Sequence, residues 1–255
     1  MKIDILTIFP EMFEGPLTES LIKKAREKKI LDIDITDIRS FTDNKHHIVD
    51  DRSFGGGPGM VMKPEPAYDA LKHLGIQASG KKTEWPSKNK PLVVYLSPQG
   101  KTLDHGMVKR LSEYKHLVLL CGHYEGIDER ILKLVNQEIS IGDYVLTGGE
   151  LPAMVLIDTV SRFLPGVVKE SGSVEQDSFY NGLLDHPHYT RPSEFNKMKV
   201  PAVLLSGNHK EIQKWRMEQS LLNTCKKRPD LLKKLKLTEE QNRILKQIKA
   251  QIKTK

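Results

Sequence analysis

Short apolar runs alternate with stretches of helical period along the first 163 residues of the chain. The apolar runs are rich in Val, Ile and Leu, are bounded by Gly, Pro, Asp or Ser, and cover residues 3–9, 30–38, 91–97, 116–122 and 139–145. Runs of this kind predict buried strands. The stretches of helical period cover residues 12–28, 64–74, 103–114, 127–135 and 150–163. Strands that alternate with helices predict an α/β fold whose doubly wound, mostly parallel sheet is covered on both faces.

The pattern changes after residue 163. Leu164, Pro165 and Gly166 open a polar stretch that runs to residue 192 without a sustained period, which is typical of an interdomain linker. A connection of that length is usually functional or disordered. Three further helices are predicted at residues 210–224, 229–236 and 239–254, with Thr238 as the N-cap of the last. The predicted division is an α/β domain at 1–163, a linker at 164–192 and a small, basic helical domain at 193–255.

Composition narrows the class of protein. A chain of 255 residues with 38% hydrophobic content can bury a core without covalent cross-links. The two cysteines, Cys121 and Cys225, lie far apart, which favours neither a disulfide framework nor a cysteine-based zinc site and fits a reducing cytoplasm. The first apolar run ends before Pro10 and is too short for a signal peptide or a membrane span. We therefore expect a soluble, cytoplasmic protein without membrane contact.

Charge is distributed unevenly. The formal net charge is +7, and residues 226–255 hold eleven Lys and Arg against three Asp and Glu, so the positive surplus belongs to the C-terminal tail. Such a tail is either a solvated helical face or a surface for a polyanion such as nucleic acid. Charge alone does not decide between the two.

Three loops concentrate glycine: residues 53–60 (SFGGGPGM), 121–130 (CGHYEGIDER) and 140–152 (SIGDYVLTGGELP). Glycine permits sharp turns and close approach of the backbone to a ligand, and loops at strand ends form the ligand crevice of α/β sheets. Any one of them could be only a tight turn. None matches a dinucleotide-binding or phosphate-binding loop. His46 with His47 and His186 with His188 are the histidine clusters, and a loop position explains them better than metal ligation, so no metal site is assigned.

Four motifs occur together in order: DDRSFGGGPGM (residues 50–60), YLSPQG (95–100), CGHYEGIDER (121–130) and SIGDYVLTGGELPA (140–153). With them the chain resembles the tRNA (guanine-N1)-methyltransferase family of the knotted SPOUT methyltransferase class. The resemblance extends from FPEMF (9–13) to LLDHPHYTRP (183–192) and SGNHKEIQKWR (206–216). It implies a SPOUT-like α/β fold with a deep trefoil knot, plus a small C-terminal all-α domain.

The resemblance also implies a pocket for the methyl donor S-adenosyl-L-methionine, built from the strand-end loops. The residues expected to bind this donor are Tyr95, Leu96, Ser97, Pro98, Gly122, Tyr124, Glu125, Gly126, Ile141, Gly142, Tyr144, Val145, Leu146, Gly148, Gly149 and Pro152.

The implied reaction is methylation of guanine N1 at tRNA position 37, beside the anticodon. Because N1 carries a proton at neutral pH, the reaction needs a general base, and the resemblance assigns that role to Asp177. Negative charge that develops on O6 needs a cation, and the matching residue is Arg162. Without the resemblance, Asp177 would be interpreted as a solvated loop carboxylate and Arg162 as an ordinary arginine at a helix C-terminus.

The substrate and assembly are likewise implied. The tRNA is expected to contact the basic helical domain and the first glycine loop, through Asp50, Arg52, Gly55, Gly56, Gly57, Gly59, His209, Lys214 and Arg216. Trp215 is either part of that surface or a core residue. The family works as a homodimer with active sites shared across the interface, so Asp177 would act on the partner's donor site. Mg²⁺ dependence is possible, although no ligand set is identified.

The chain departs from the family pattern at two places, and two other functions are possible. The family commonly has Arg where this chain has His123, and the polar, basic segment 75–90, expected to be a surface loop, is long. One rival is a knotted methyltransferase that acts on ribose 2′-OH or ribosomal RNA. The other is an RNA-binding module without activity, which donor binding would exclude.

Overall fold

Five parallel strands form the central sheet of the computed structural model, which describes residues 1–77, 84–168 and 175–253. The strands are β1 (Lys2–Thr7), β2 (Asp32–Asp37), β5 (Leu92–Thr102), β6 (His116–Cys121) and β7 (Gln137–Ser140), and their order in the sheet is β2-β1-β6-β5-β7. Every pairing in this sheet is parallel. β3 (Asp50–Asp51) and β4 (Val61–Met62) form a separate antiparallel pair. The predicted parallel sheet is confirmed.

Helices cover both faces of the sheet, as predicted. α1 (Ser20–Glu27), α3 (His105–Ser112) and α4 (Glu150–Ser161) pack in one apolar cluster, whereas α2 (Pro64–His73) packs in the other. Successive residues of β5 alternate between the clusters: Leu92 and Val94 belong to the first and Val93 to the second. The core therefore lies on both sides of the sheet, and the strand ends remain available for a site.

Several predicted element bounds are wrong. Residues 127–135, predicted as an α-helix, contain a 3₁₀ helix at Glu129–Lys133. The predicted helix at 12–28 begins only at Ser20, after a 3₁₀ turn at Pro10–Phe13, and a third 3₁₀ helix spans Ile38–Phe41. The strand predicted at 139–145 ends at Ser140, and the segment after it forms a loop. Apolar content indicated these segments correctly as ordered but did not distinguish a short 3₁₀ turn from an α-helix.

The segment 75–90 is only partly a surface loop. Residues 78–83 lie outside the described residues. Trp85 is half-buried against the first apolar cluster, and the Arg110 guanidinium lies 3.7 Å from the centre of its ring. The Tyr114 hydroxyl donates to the Pro86 carbonyl at 2.7 Å. The end of the segment is thus packed on the sheet domain, in contrast to the prediction.

The chain divides into two compact units, Met1–Lys169 and Glu170–Lys255. The second contains α5 (Ala202–Leu205), α6 (His209–Lys227), α7 (Pro229–Leu232) and α8 (Glu239–Lys253), around a small core that includes Leu183, Leu221, Ile244 and Ile248. Thr238 caps α8: its hydroxyl accepts from the Gln241 N–H, and the Gln241 side chain accepts from the Thr238 N–H.

The second unit also contains a short antiparallel hairpin of β8 (Glu194–Phe195) and β9 (Met198–Lys199). The prediction of an all-helical C-terminal domain is therefore wrong. Strands of two residues carry no sequence period that could predict them. Of the predicted linker 164–192, residues 169–174 lie outside the described residues, as does residue 254 of the predicted last helix. Among the described helices, none combines the length and the hydropathy that crossing a membrane requires.

Candidate active site

A pocket opens where the loops after β6 and β7 converge on residues 95–99, the irregular part of the neighbouring strand β5. We call it the strand-end pocket. All sixteen residues predicted to bind the donor line it. The lining also includes residues that were not predicted to bind the donor: Gln99, His123, Ile127, Glu129, Leu132, Glu138, Ile139, Ser140 and Thr147. The structure thus brings the predicted set together, while its role in binding the donor stays a prediction.

Tyr95 forms the floor of the strand-end pocket. It is buried near the end of the regular part of β5, and burial raises the pKa of its phenol to about 12, so the hydroxyl stays protonated at neutral pH. A Cβ on Gly122 would lie 2.8 Å from the Tyr95 ring, too close for any residue other than glycine. Gly122 is therefore required by packing against the pocket floor.

The loop after β6 holds a strained conformation. Tyr124 has φ +59°, in the left-handed region that a residue with a side chain rarely adopts, and Gly126 has φ +127°. The loop is fixed by hydrogen bonds to the segment at β4: the Glu125 N–H donates to the Met60 carbonyl at 3.0 Å, and the Met62 N–H donates to the Gly126 carbonyl at 2.9 Å. Strain held in place at a pocket wall is typical of a functional site.

The loop after β7 returns to the end of β6. The Gly149 N–H donates to the Gly122 carbonyl at 2.8 Å, and a Cβ on Gly149 would lie 2.8 Å from the Cys121 Cα. Cys121 is fully buried there, and its burial, together with the charge of Glu150, raises the pKa of its thiol well above the ordinary value. Gly149 is thus required by contact between two backbone segments, not only by contact with a ligand.

The strand-end pocket is acidic. Glu125, Glu129 and Glu138 contribute carboxylates to its lining, and within the part of the chain that the structure describes the lining includes no lysine or arginine. The site is therefore complementary to a ligand with positive charge and poorly suited to a phosphate group. This electrostatic character agrees with the absence of a phosphate-binding motif in the sequence.

The first glycine loop, residues 53–60, follows β3. Gly55, Gly56 and Gly57 all have positive φ (+87°, +79° and +118°), and a Cβ on any of them would meet nothing within 4 Å. Gly59, also at positive φ, lies against Glu125, whose carboxylate a Cβ would hit. The side chain of Phe54 is fully exposed, and Arg52 is exposed as well. The first glycine loop, predicted to contact tRNA, therefore borders the strand-end pocket, and its tip is open.

The two predicted catalytic residues lie in different units. Arg162 is half-buried at the C-cap of α4 in the first unit. Asp177 is half-buried in the second, where its carbonyl accepts from the Tyr180 N–H at 3.3 Å. Their joint action on one substrate stays a prediction.

The predicted tRNA-binding residues of the second unit lie on α6, the helix that also carries Trp215. His209 and Lys214 are exposed on α6, whereas Arg216 is half-buried, with an Nε atom that has no hydrogen-bond partner within the described residues. Trp215 is half-buried, with its ring 6.3 Å from the rings of both His186 and Tyr189. Trp215 therefore packs on its neighbours and is still partly accessible, and its contact with tRNA stays a prediction.

His186 and His188 share the carboxylate of Asp185, at 2.6 Å from the His186 Nδ1 and 2.8 Å from the His188 Nε2. Burial lowers the pKa of His186 more than Asp185 raises it. Burial would raise the pKa of Asp185, but the hydrogen bonds from His188 and the His186 backbone hold it below its ordinary value. The three groups lie close enough to hold a metal ion, yet each nitrogen is already at hydrogen-bond distance from the carboxylate.

The fold and pocket define a doubly wound α/β protein with a ligand crevice at its strand ends. A profile of the family described as "tRNA (Guanine-1)-methyltransferase TrmD" matches residues 1–234. The chain therefore belongs to this family.

Curated relatives named "tRNA (guanine-N(1)-)-methyltransferase" agree with the profile. One from Endomicrobium trichonymphae is 62% identical over 234 residues, which cover 92% of this chain and 100% of the relative. One from Desulforamulus reducens is 52% identical over 246 residues, 96% of this chain and 94% of the relative. One from Buchnera aphidicola is 53% identical over 247 residues, 96% of this chain and 95% of the relative. The similarity thus extends over nearly the full length of this chain and of each relative.

Proposed function

We propose that the protein is a tRNA (guanine-N1)-methyltransferase that transfers the methyl group of S-adenosyl-L-methionine to N1 of the guanine at position 37. Membership of the family, whose curated relatives carry that activity in their names, supports the reaction. The observation that carries the choice of donor is the convergence of the loops after β6 and β7 and the irregular part of β5 on one acidic pocket. A passive RNA-binding module would not require such a pocket.

The donor fits the chemistry of this lining. S-adenosylmethionine carries a positive sulfonium and an ammonium group, and Glu125, Glu129 and Glu138 supply the opposite charge. Backbone groups around Tyr144 and Leu146 are available to the adenine edge, and Gly148 and Gly149 bring the chain close. The donor supplies an already activated methyl group, so the protein's task is to position the substrates and remove a proton.

Proton removal and charge stabilisation are assigned to Asp177 and Arg162. Guanine N1 becomes a good nucleophile as its proton leaves, and a carboxylate within hydrogen-bond reach accepts that proton. The charge that then grows on O6 is stabilised by a guanidinium more strongly in the transition state than in the ground state.

The surface of α4 supports a shared active site in a homodimer. The residues Leu151, Val155 and Asp158 are exposed and lie on one stripe of the helix, and Arg162 continues that stripe at its end. Leu151 and Val155 are 47% and 42% exposed, whereas most of the rest of α4 is buried. The exposed apolar part of this stripe, Leu151 and Val155, is suited to cover by a second copy of the chain, whose Asp177 then completes the site.

The proposed fold includes the trefoil knot of the SPOUT class. Two close backbone approaches support it: Gly149 against Cys121, and Gly100, where a Cβ would collide with the backbone of Glu138 and Ile139. The first contact joins the loop after β7 to the end of β6, and the second lies within the pairing of β5 with β7.

In this proposal residues 1–163 bind the donor, residues 164–192 form the linker with Asp177, and residues 193–255 bind tRNA. The protein acts in the cytoplasm. Mg²⁺ is left out of the proposal. Among the described residues, the group with metal-ligand spacing is Asp185 with His186 and His188, and Mg²⁺ prefers oxygen ligands to imidazole.

The test is methyl transfer from labelled S-adenosylmethionine to unmodified tRNA transcripts with G or A at position 37, followed by nucleoside analysis. N1-methylguanine from the G transcript alone is the expected result. Donor binding without product would point to ribosomal RNA or ribose substrates, and no donor binding would revive the RNA-binding module.

A further inference from the structure

A buried carboxylate lies directly behind the strand-end pocket. Glu150, the first residue of α4, is 1% exposed. Its Oε1 accepts from the Thr7 hydroxyl at 2.7 Å, at the carboxyl end of β1. Its Oε2 has no hydrogen-bond partner within the described residues and lies 3.6 Å from the His123 Nε2. A buried carboxylate with one unsatisfied oxygen destabilises a fold, so its presence needs a compensating role.

His123 separates this carboxylate from the pocket. Its ring lines the cavity and is in edge contact with the rings of Phe9 (4.8 Å between centroids) and Tyr124 (5.6 Å). The His123 N–H donates to the Met62 sulfur at 3.3 Å. The ring is therefore held by two aromatic neighbours, the backbone of His123 is bound to Met62, and the Nε2 atom lies 3.6 Å from the Glu150 carboxylate. Its position sets that of the strained loop at residues 122–126.

Gly148 makes room for the pair. A Cβ at this position would collide with both the Glu150 Oε2 and the His123 ring. Gly148 and His123 also form an isolated antiparallel bridge, which joins the loop after β7 to the loop after β6. The loops after β6 and β7 are thus joined at the point where the Glu150 and His123 side chains lie close together.

We propose that Glu150 is a positioning residue for donor binding: through His123 it fixes the loops at residues 122–126 and 148–149 on the two sides of the pocket. The inference rests on the proposed donor role of that pocket. Glu150 does not line the pocket itself, so its effect must pass through His123 and Gly148. Its loss is expected to weaken donor binding and to leave tRNA binding and the chemical step nearly unchanged.

The decisive variant is Glu150→Gln in the full chain, because the amide keeps an oxygen for Thr7 and removes the charge that faces His123. We expect the Kd and KM for S-adenosylmethionine to rise about tenfold, the size expected for a lost interaction with a charged group. The KM for tRNA and kcat at saturating donor should stay near those of the unchanged protein. Glu65→Gln is the matched control, since Glu65 is also a first-turn glutamate, of α2, but is exposed and outside the pocket lining.

A merely structural role would give a different pattern. A lower melting temperature of Glu150→Gln with an unchanged donor Kd would overturn the proposal. Should that variant fail to fold, Glu150→Asp carries the test, because it keeps the negative charge but withdraws it from His123, and its donor affinity should fall. Equal donor affinities of Glu150→Asp and the unchanged protein would also overturn the proposal. If the unchanged protein does not bind the donor, the proposed function fails together with the inference; if it binds and the variants bind equally, only the inference fails.

Discussion

The strand-end pocket of the first unit and the helical surface of the second are built in different ways. The pocket depends on backbone: its glycines are fixed by contacts with neighbouring chain, and its charges are acidic. The second unit presents side chains: Arg243, Lys246 and Lys249 are exposed on α8, three residues apart, opposite the buried Ile244 and Ile248. A small cationic donor needs a preformed cavity, whereas a long polyanion needs an accessible field of positive charge. Variants in the two regions should therefore separate donor binding from tRNA binding.

The largest expected effect is on the chemical step. Asp177→Asn preserves shape and removes the base, so kcat should fall by about 10²–10⁴-fold while the Kd for S-adenosylmethionine is unchanged. Single-turnover methylation together with calorimetry measures both quantities. Glu175→Gln, an exposed carboxylate in the same segment, is the control and should retain activity. Near-normal turnover of Asp177→Asn at saturating substrate would remove Asp177 from the mechanism.

Gly149→Ala tests whether the pocket depends on backbone contact. Its Cβ would lie 2.8 Å from the Cys121 Cα and 3.1 Å from the Gly122 nitrogen, and neither atom can move without shifting a buried strand. We expect a loss of about 1–3 kcal/mol in the free energy of unfolding and a severe loss of donor binding. Urea denaturation and calorimetry provide the measurement. Gly15→Ala, which meets nothing within 4 Å, should be close to neutral.

The first glycine loop offers the opposite case. Gly56→Ala has open space but must keep φ +79°, which costs roughly 1–2 kcal/mol for an L residue. The KM for tRNA should rise by up to roughly tenfold from that strain, with the donor Kd little changed. Gly56→Asn should be milder because asparagine tolerates this conformation. A donor Kd that rises as far as the tRNA KM would mean that the loop serves the pocket instead of the RNA.

The smallest effect is expected on the tail. The double variant Lys246→Gln and Lys249→Gln should weaken tRNA binding a few-fold and lower the slope of log K against log salt by about one to two, if each lysine contacts a phosphate. Lys23→Gln with Lys24→Gln, two exposed lysines on α1, is the matched control. Titrations of tRNA binding at several salt concentrations measure these slopes. Equal slopes for the two double variants would mean that the lysines of α8 are solvated and do not bind tRNA.

The sequence predicted the features that depend on local composition. Apolar runs predicted the strands of the sheet, and glycine-rich motifs predicted loops that converge on one pocket. Contacts between distant residues have no local sequence pattern. Thr7 and Glu150 are 143 positions apart, and the sequence around either residue does not predict their hydrogen bond. The different surroundings of Gly56 and Gly149 are equally invisible, because both occur in similar motifs. His123 stood out in the sequence only as a departure from the family pattern, and no partner was predicted for it.

The burial of Cys121 has a practical consequence. Its thiol lies beneath the contact of Gly149 with the end of β6 and has a raised pKa, so an alkylating reagent can reach it only when that contact opens. Cys225, in α6 of the second unit, is only half-buried and should be modified first. The rate of the slow labelling phase, that of Cys121, therefore reports how often the contact at the pocket opens. A ligand that closes the pocket should slow this phase, and no engineered probe is needed to measure it.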